Sequence, residues 1–179
     1  MPNRDAEAGN AAWGGFGSGM RRNAFQIVAV CALVFIMDQA TKWLILNLVM
    51  VPPRIIGITS FFNLRLGFNS GISFGLFSDF FESNPLVLAV IKLVIAGGLL
   101  IWAFRTSMRL ERLGLSMIAG GALGNMLDRY RQGAVTDFLD FYWNGWHYPT
   151  FNIADVFITI GAGMLMLASL RGTGKPGAT

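Results

Sequence analysis

Apolar positions run along this chain in long blocks, separated by short stretches where polar residues, Gly and Pro gather. The first block, NAFQIVAVCALVFIMDQATKWLILNLVM, is apolar from Ala24 to Met37, meets Asp38 and Lys42, and resumes from Trp43 to Val51. Pro52 and Pro53 close it, since proline removes a helical N–H and biases the preceding residue away from helix. RIIGITSFFNLRLGFNSGISFGLF then mixes β-branched and aromatic residues with Gly and Asn, the composition of short strands and turns outside lipid. From Pro85, which suits a first helical turn, PLVLAVIKLVIAGGLLIWAF carries one charge, Lys92. After the polar connection RTSMRLER comes a weaker block, LGLSMIAGGALGNMLDRY, and FNIADVFITIGAGMLMLASL is the last. Crossing the hydrocarbon takes about 20 mostly apolar residues, so the pattern predicts an all-α membrane protein with four spans, at about 24–50, 85–104, 113–130 and 152–170. Residues 131–150 read as an aromatic, turn-rich loop, with Trp143, Trp146 and Tyr148 placed as interfacial anchors.

Composition agrees: 54% of the 179 residues are hydrophobic and 13% charged, too apolar for an ordinary soluble domain. Residues 1–22 are rich in Gly, Ala and Asn, lack a hydrophobic period and end in Arg21 and Arg22, so a disordered basic tail is expected before a membrane domain at 23–170 and a short tail at 171–179. A secretory signal peptide is the competing reading of the start, but no A-x-A-like site follows the apolar run. The single Cys31 excludes an intramolecular disulfide and a cysteine metal cluster, and the single His147 leaves only carboxylate-rich metal sites. With four spans, Arg4, Arg21, Arg22, Arg105, Arg109, Arg112, Arg171 and Lys175 share one face, against Arg54, Arg65, Arg129 and Arg131 on the other. The tails are therefore expected in the cytoplasm. Asp79, Glu82, Asp128, Asp137, Asp140 and Asp155 gather toward the outer face.

Some of these charges have simple readings. Asn125, Asp128 and Arg129 share a helical face, and Asp128 beside Arg129 is expected to be a structural pair; Asp38 and Lys42, four apart, read as another. Lys92 either snorkels or meets a carboxylate on another span. Gly120 and Gly124, also four apart, would admit a close neighbouring helix. Asp137 and Asp155 differ, because neither has a basic residue within a helical turn. An unpartnered carboxylate near lipid is costly, and two brought together could share a proton, one activating water while the other polarises a peptide carbonyl. The plainer alternative makes Asn152 a helix cap, Asp155 a first-turn acid, and Asp137 and Asp140 solvated loop charges. GISFG matches G-x-S-x-G at Ser73, but nothing supplies the sheet a nucleophile elbow needs, and Cys31 lies mid-span away from His147. An ion-coupled carrier or a non-catalytic assembly partner would also explain acids in a membrane protein, though no internal repeat is present.

DQATKW, FNSGISFG, GGALGNMLDR, VTDFLDFY and FNIADVFI, in that order between Asp38 and Ile158, resemble the motif series of the lipoprotein signal peptidase (signal peptidase II) family. The resemblance implies a bacterial inner-membrane aspartyl endopeptidase that cuts diacylglyceryl-modified prolipoproteins just before the lipidated cysteine. It further implies four transmembrane helices, a small extracytoplasmic β element and a mobile loop over an active site facing outward. Matched residue by residue, the catalytic pair is Asp137 and Asp155. Asn69, Asn125, Asp128, Arg129, Asn152 and Ala154 match positions that line or support the site, and Asp38 and Lys42 match the first-span motif. No metal, cofactor or nucleic acid is called for. The partners are the substrate and membrane lipid, and a monomer is expected.

Overall fold

The computed structural model describes residues 4–70 and 85–172. Among the described residues there are four long helices and a four-stranded sheet: α1 (Arg4–Leu44), β1 (Ile55–Thr59), β2 (Phe62–Asn69), α2 (Pro85–Arg105), α3 (Arg109–Gln132), β3 (Val135–Trp143), β4 (Trp146–His147) and α4 (Ile153–Gly172). A π-helical turn, Ile45–Val49, extends α1 toward the prolines. Two helical stretches, Gly19–Val49 and Ile153–Arg171, are long and apolar enough to cross a membrane.

α3 is the central helix, packed by the other three. It can be central because its glycines let neighbours touch its backbone. A Cβ on Gly120 would sit 2.6 Å from the Cys31 carbonyl of α1, and one on Gly124 would run into the Asp38 carboxylate, which bears out the close approach expected of that pair. Toward α4, a Cβ on Gly121 would lie 2.7 Å from the Ala154 carbonyl, and Gly114 and Gly161 face each other backbone to backbone. Close packing of this kind replaces the hydrophobic drive that is missing between helices in lipid. α3 starts at Arg109, several residues before the expected 113, and ends on Gly133, whose positive φ of 77° turns its N–H back to the Arg129 carbonyl.

One expectation is corrected, and one helix begins earlier than its span. Helix α1 extends back to Arg4, ahead of the expected span at about 24–50. Once a span supplies the nucleus, each further residue adds a hydrogen bond, so a glycine-containing extension can continue it. Residues 135–147, read as loop, form a hairpin: Asn144 and Gly145 both have positive φ, the two-residue turn that matches strand twist. The sheet runs antiparallel in the order β1-β2-β3-β4. Between Leu64 and Gly67 the register slips by one residue, so that Gly67 opposes Asp137 and Asn69 opposes Val135. Such a bulge re-aims the strand beyond it. The sheet seals the end of the bundle through Phe138, packed with Ile45 and Met50. Ser73 and the loop expected to cover the site lie outside the described residues.

Candidate active site

The polar site forms where β3 meets the start of α4. Phe151 makes the junction: its carbonyl accepts the N–H groups of Phe138 and Leu139, and its own N–H donates to the Leu139 carbonyl. The next residue, Asn152, is thereby held against β3. Its side chain accepts the Asp155 N–H at 3.1 Å while Asp155 Oδ2 accepts the Asn152 N–H at 3.2 Å, a reciprocal cap on α4. The capping reading of Asn152 and Asp155 is thus correct as local structure, and it leaves both side chains with atoms to spare.

Those atoms link the two acids. Asn152 Nδ2 donates to Asp137 Oδ1 at 2.6 Å and to Asn125 Oδ1 at 3.1 Å, and Asn125 Nδ2 donates to Asp155 Oδ1 at 2.9 Å. Asp137 and Asp155 therefore stand at the two ends of a chain of carboxamides. Asn69 also donates to Asp137 from β2, where the bulge has carried it. Asp137 is buried, whereas Asp155 is half-buried. Burial, followed by the charge of Asp155, pushes the Asp137 carboxyl up to about 6. An open pocket of about 300 Å³, lined by Gly67, Phe68, Asn69, Asp137, Pro149 and Thr150, gives access from the sheet side.

Lys42 orders the layer beneath. Its ammonium lies 2.8 Å from Asp38 Oδ2 and 2.7 Å from Asp128 Oδ2, and donates to Asn125 Oδ1 at 2.9 Å. The other Asp38 oxygen accepts the Ala154 N–H at 3.0 Å, so α1 caps the first turn of α4 across the bundle. The expected Asp38–Lys42 pair is present, and Asp128, expected beside Arg129, also takes Lys42 as a close cation. Asp128 also accepts the Thr136 N–H and the Gln39 side chain. Arg129, buried one position on, donates to the Asn125 carbonyl, and its charge is felt by Asp137, Asp155 and Asp128. Lys92 on α2 faces the same acids, with Asp155 and Asp137 attracting its charge and Arg129 and Lys42 opposing it.

Asp140, a solvated loop charge in the plainer alternative, is fully buried. It holds His147 Nδ1 at 2.8 Å and accepts Asn63 Nδ2, pinning β4 to the sheet. Gln39 was not singled out from sequence, yet it bridges Asp38, Asp128 and the Gly124 carbonyl. Its position between Asp38 and Lys42 was the available signal.

Two solved structures, each of a bacterial membrane enzyme determined by the in meso method, share this fold. They superpose with TM-scores of 0.71 and 0.69 at 28% and 29% identity, covering 86% and 81% of this chain and 93% and 92% of theirs. A helical bundle of this architecture, with acids gathered at one end, belongs to the class of membrane-embedded enzymes. The family is narrower: a model of signal peptidase (SPase) II matches residues 30–171, and the chain belongs to that family. The lipoprotein signal peptidase of Aeromonas hydrophila subsp. hydrophila is 40% identical over 152 residues, 84% of this chain and 91% of that protein. That of Neisseria meningitidis serogroup C is 40% identical over 150 residues, covering 83% and 90%. The Symbiobacterium thermophilum enzyme is 38% identical over 143 residues, covering 79% and 90%. Membership of this family makes the chain a protease.

Proposed function

We propose that this chain is an aspartyl endopeptidase of the bacterial inner membrane that removes the signal peptide of diacylglyceryl-modified prolipoproteins just before the lipidated cysteine. The observation that carries the reading is the pair of acids, Asp137 from β3 and Asp155 from α4, joined through Asn152 and Asn125. In this reading α1 to α4 all span the bilayer, both termini are cytoplasmic, and the sheet lies outside. The acids then sit near the outer lipid boundary, where acyl chains hold the scissile peptide at a set depth and supply much of its positioning.

The two acids act as a unit with one shared proton. Asp137, with its carboxyl raised to about 6, carries that proton toward the scissile carbonyl. Asp155 takes a proton from water, whose oxygen attacks the carbonyl carbon. Collapse of the tetrahedral intermediate breaks the C–N bond: the proton held by Asp155 passes to the leaving nitrogen, and a hydroxyl of the intermediate returns a proton to Asp137 as the new carboxyl group forms. Asn69, Asn125 and Asn152 orient the acids. Asp38, Lys42, Asp128, Arg129 and Ala154 support them by fixing the layer in which Asn125 and the start of α4 sit.

The test is cleavage of a diacylglyceryl-modified prolipoprotein by the purified protein in detergent or lipid. Asp137→Asn and Asp155→Asn should each remain folded and lose about 10⁴-fold in kcat, the scale of losing one member of a catalytic unit. Ser73→Ala and a chelator should leave turnover intact. The rate should fall on both sides of its optimum, with the alkaline limb near pH 6 as the shared proton is lost. Folded Asp variants that still cleave would overturn the dyad.

A further inference from the structure

At the end of the bundle far from the sheet, a cavity of about 670 Å³ opens between α1 and the first turn of α3. Arg22 reaches it from α1, and Arg109 and Arg112 from α3; among the described residues no carboxylate lines it. Arg112 is the unusual one. It is only 6% exposed, and its Nε has no hydrogen-bond partner among the described residues. The neighbouring acid on its own helix, Glu111, is engaged by the Thr106 hydroxyl. A buried guanidinium without a counter-charge is costly, and its flat fork of donors matches the oxygens of a phosphate.

The other walls decide which phosphate fits. Phe25, Ala29 and Val30 give the cavity an apolar side that runs along α1 away from the arginines. Arg22 and Val30 are eight positions apart on a continuous helix, roughly 12 Å of axial rise. That distance carries the groove from the headgroup layer into the start of the hydrocarbon. A free anion would leave Phe25, Ala29 and Val30 facing water. A lipid would place its phosphate among the arginines and its glycerol and first methylenes against the apolar wall. Three cations with no lining acid among the described residues favour a headgroup of net negative charge over a zwitterion.

We propose that this cavity is a binding site for one anionic phospholipid, with Arg112 as the buried phosphate ligand and Arg22 and Arg109 at its mouth. The inference rests on α1 and α3 being spans; it does not depend on the chemistry of Asp137 and Asp155. Seating a lipid here would tie the start of α3 to α1 at the end of the bundle that lacks a sheet.

The experiment uses the full chain reconstituted in phosphatidylcholine, with and without phosphatidylglycerol, and follows its thermal unfolding. Phosphatidylglycerol should raise the melting temperature in a saturable way, and inorganic phosphate added to phosphatidylcholine bilayers should not. Arg112→Gln should lose most of that rise. The exposed pair Arg22→Gln and Arg109→Gln, made together, should weaken it, and this variant decides the matter if Arg112→Gln does not fold. An equal rise in the variants would mean a general membrane effect and overturn the site. An equal rise with inorganic phosphate would overturn the lipid assignment.

Discussion

The two ends of α3 bury cations in opposite ways. At the sheet end, Lys42 is enclosed by Asp38, Asp128 and Asn125, and each of these partners is itself tied to another helix or strand. At the other end, Arg112 is almost as deeply buried with its Nε unsatisfied among the described residues; Arg129 Nε at the sheet end is also unsatisfied among them, but that guanidinium lies in the field of Asp137, Asp155 and Asp128. A charge answered from within the chain locks elements together, because removing it strands its partners. A charge not answered from within opposes folding until something outside the chain answers it, and it is available to a ligand. The sheet end is accordingly built for fixed geometry, and the far end for occupancy.

The contrast is easiest to break at Lys42. Lys42→Met would leave Asp38 and Asp128 buried without their cation, and should cost about 3–5 kcal/mol in detergent unfolding. Turnover should fall as well, since Asn125 and the first turn of α4 lose their support. A loss below about 1 kcal/mol would show that the layer is not held by charge.

Asp137→Asn should move stability the other way, with a defined pH dependence. Because the Asp137 carboxyl is raised to about 6, the native state holds its proton more tightly than the unfolded chain does. Stability is therefore lost as pH rises from the ordinary carboxylate range through about 6. Asparagine cannot ionise, so at pH 7 to 8 the variant should be more stable by at most about 3 kcal/mol. The gain should vanish by about pH 3, below the ordinary carboxylate value, where both states of the parent are protonated. Denaturant titrations at the two pH values check this, and an equal gain at both would remove the titration as its cause.

Gly121→Ala tests how closely α3 and α4 must meet to place the acids. The new Cβ would fall 2.7 Å from the Ala154 carbonyl, so a cost of about 1–3 kcal/mol is expected. Activity should drop more than stability, because the displaced segment carries Asp155. The smallest loss belongs to Arg112→Met in lipid-free detergent, which should be no less stable than the parent, since it removes a buried charge that nothing in the described chain answers. A loss as large as that of Lys42→Met would mean that Arg112 is satisfied inside the protein, and the contrast between the two ends would fail.

Much of this was legible before the structure. Each apolar block became a long helix, because its hydrophobic length and its Pro and Gly stops are local properties. Gly120 and Gly124 announced a close contact, although not which helix would make it. The Asn144-Gly145 turn was legible too, and would have turned the presumed loop into a hairpin had it been weighed above the aromatic content around it. Asp140 was not legible: it looks like a loop acid until His147 and Asn63 are folded onto it from two other strands.

The pairing of charges shows where local information stops. Asp38 and Lys42 lie four apart on one helix, so spacing alone brings them together. Asp128 sits beside Arg129 in sequence and also binds Lys42, because α1 and α3 meet at Gly124 and bring the ammonium to it. The sequence by itself determined the helices, their order, the acids available and, through its motifs, the family. Only the tertiary structure decided that Asp137 and Asp155 are bridged by Asn152 and Asn125, since that link needs a strand, the first turn of α4 and the middle of α3 to converge. Hydrogen bonds act over about 3 Å, and no spacing along the chain specifies which distant atoms will come that near.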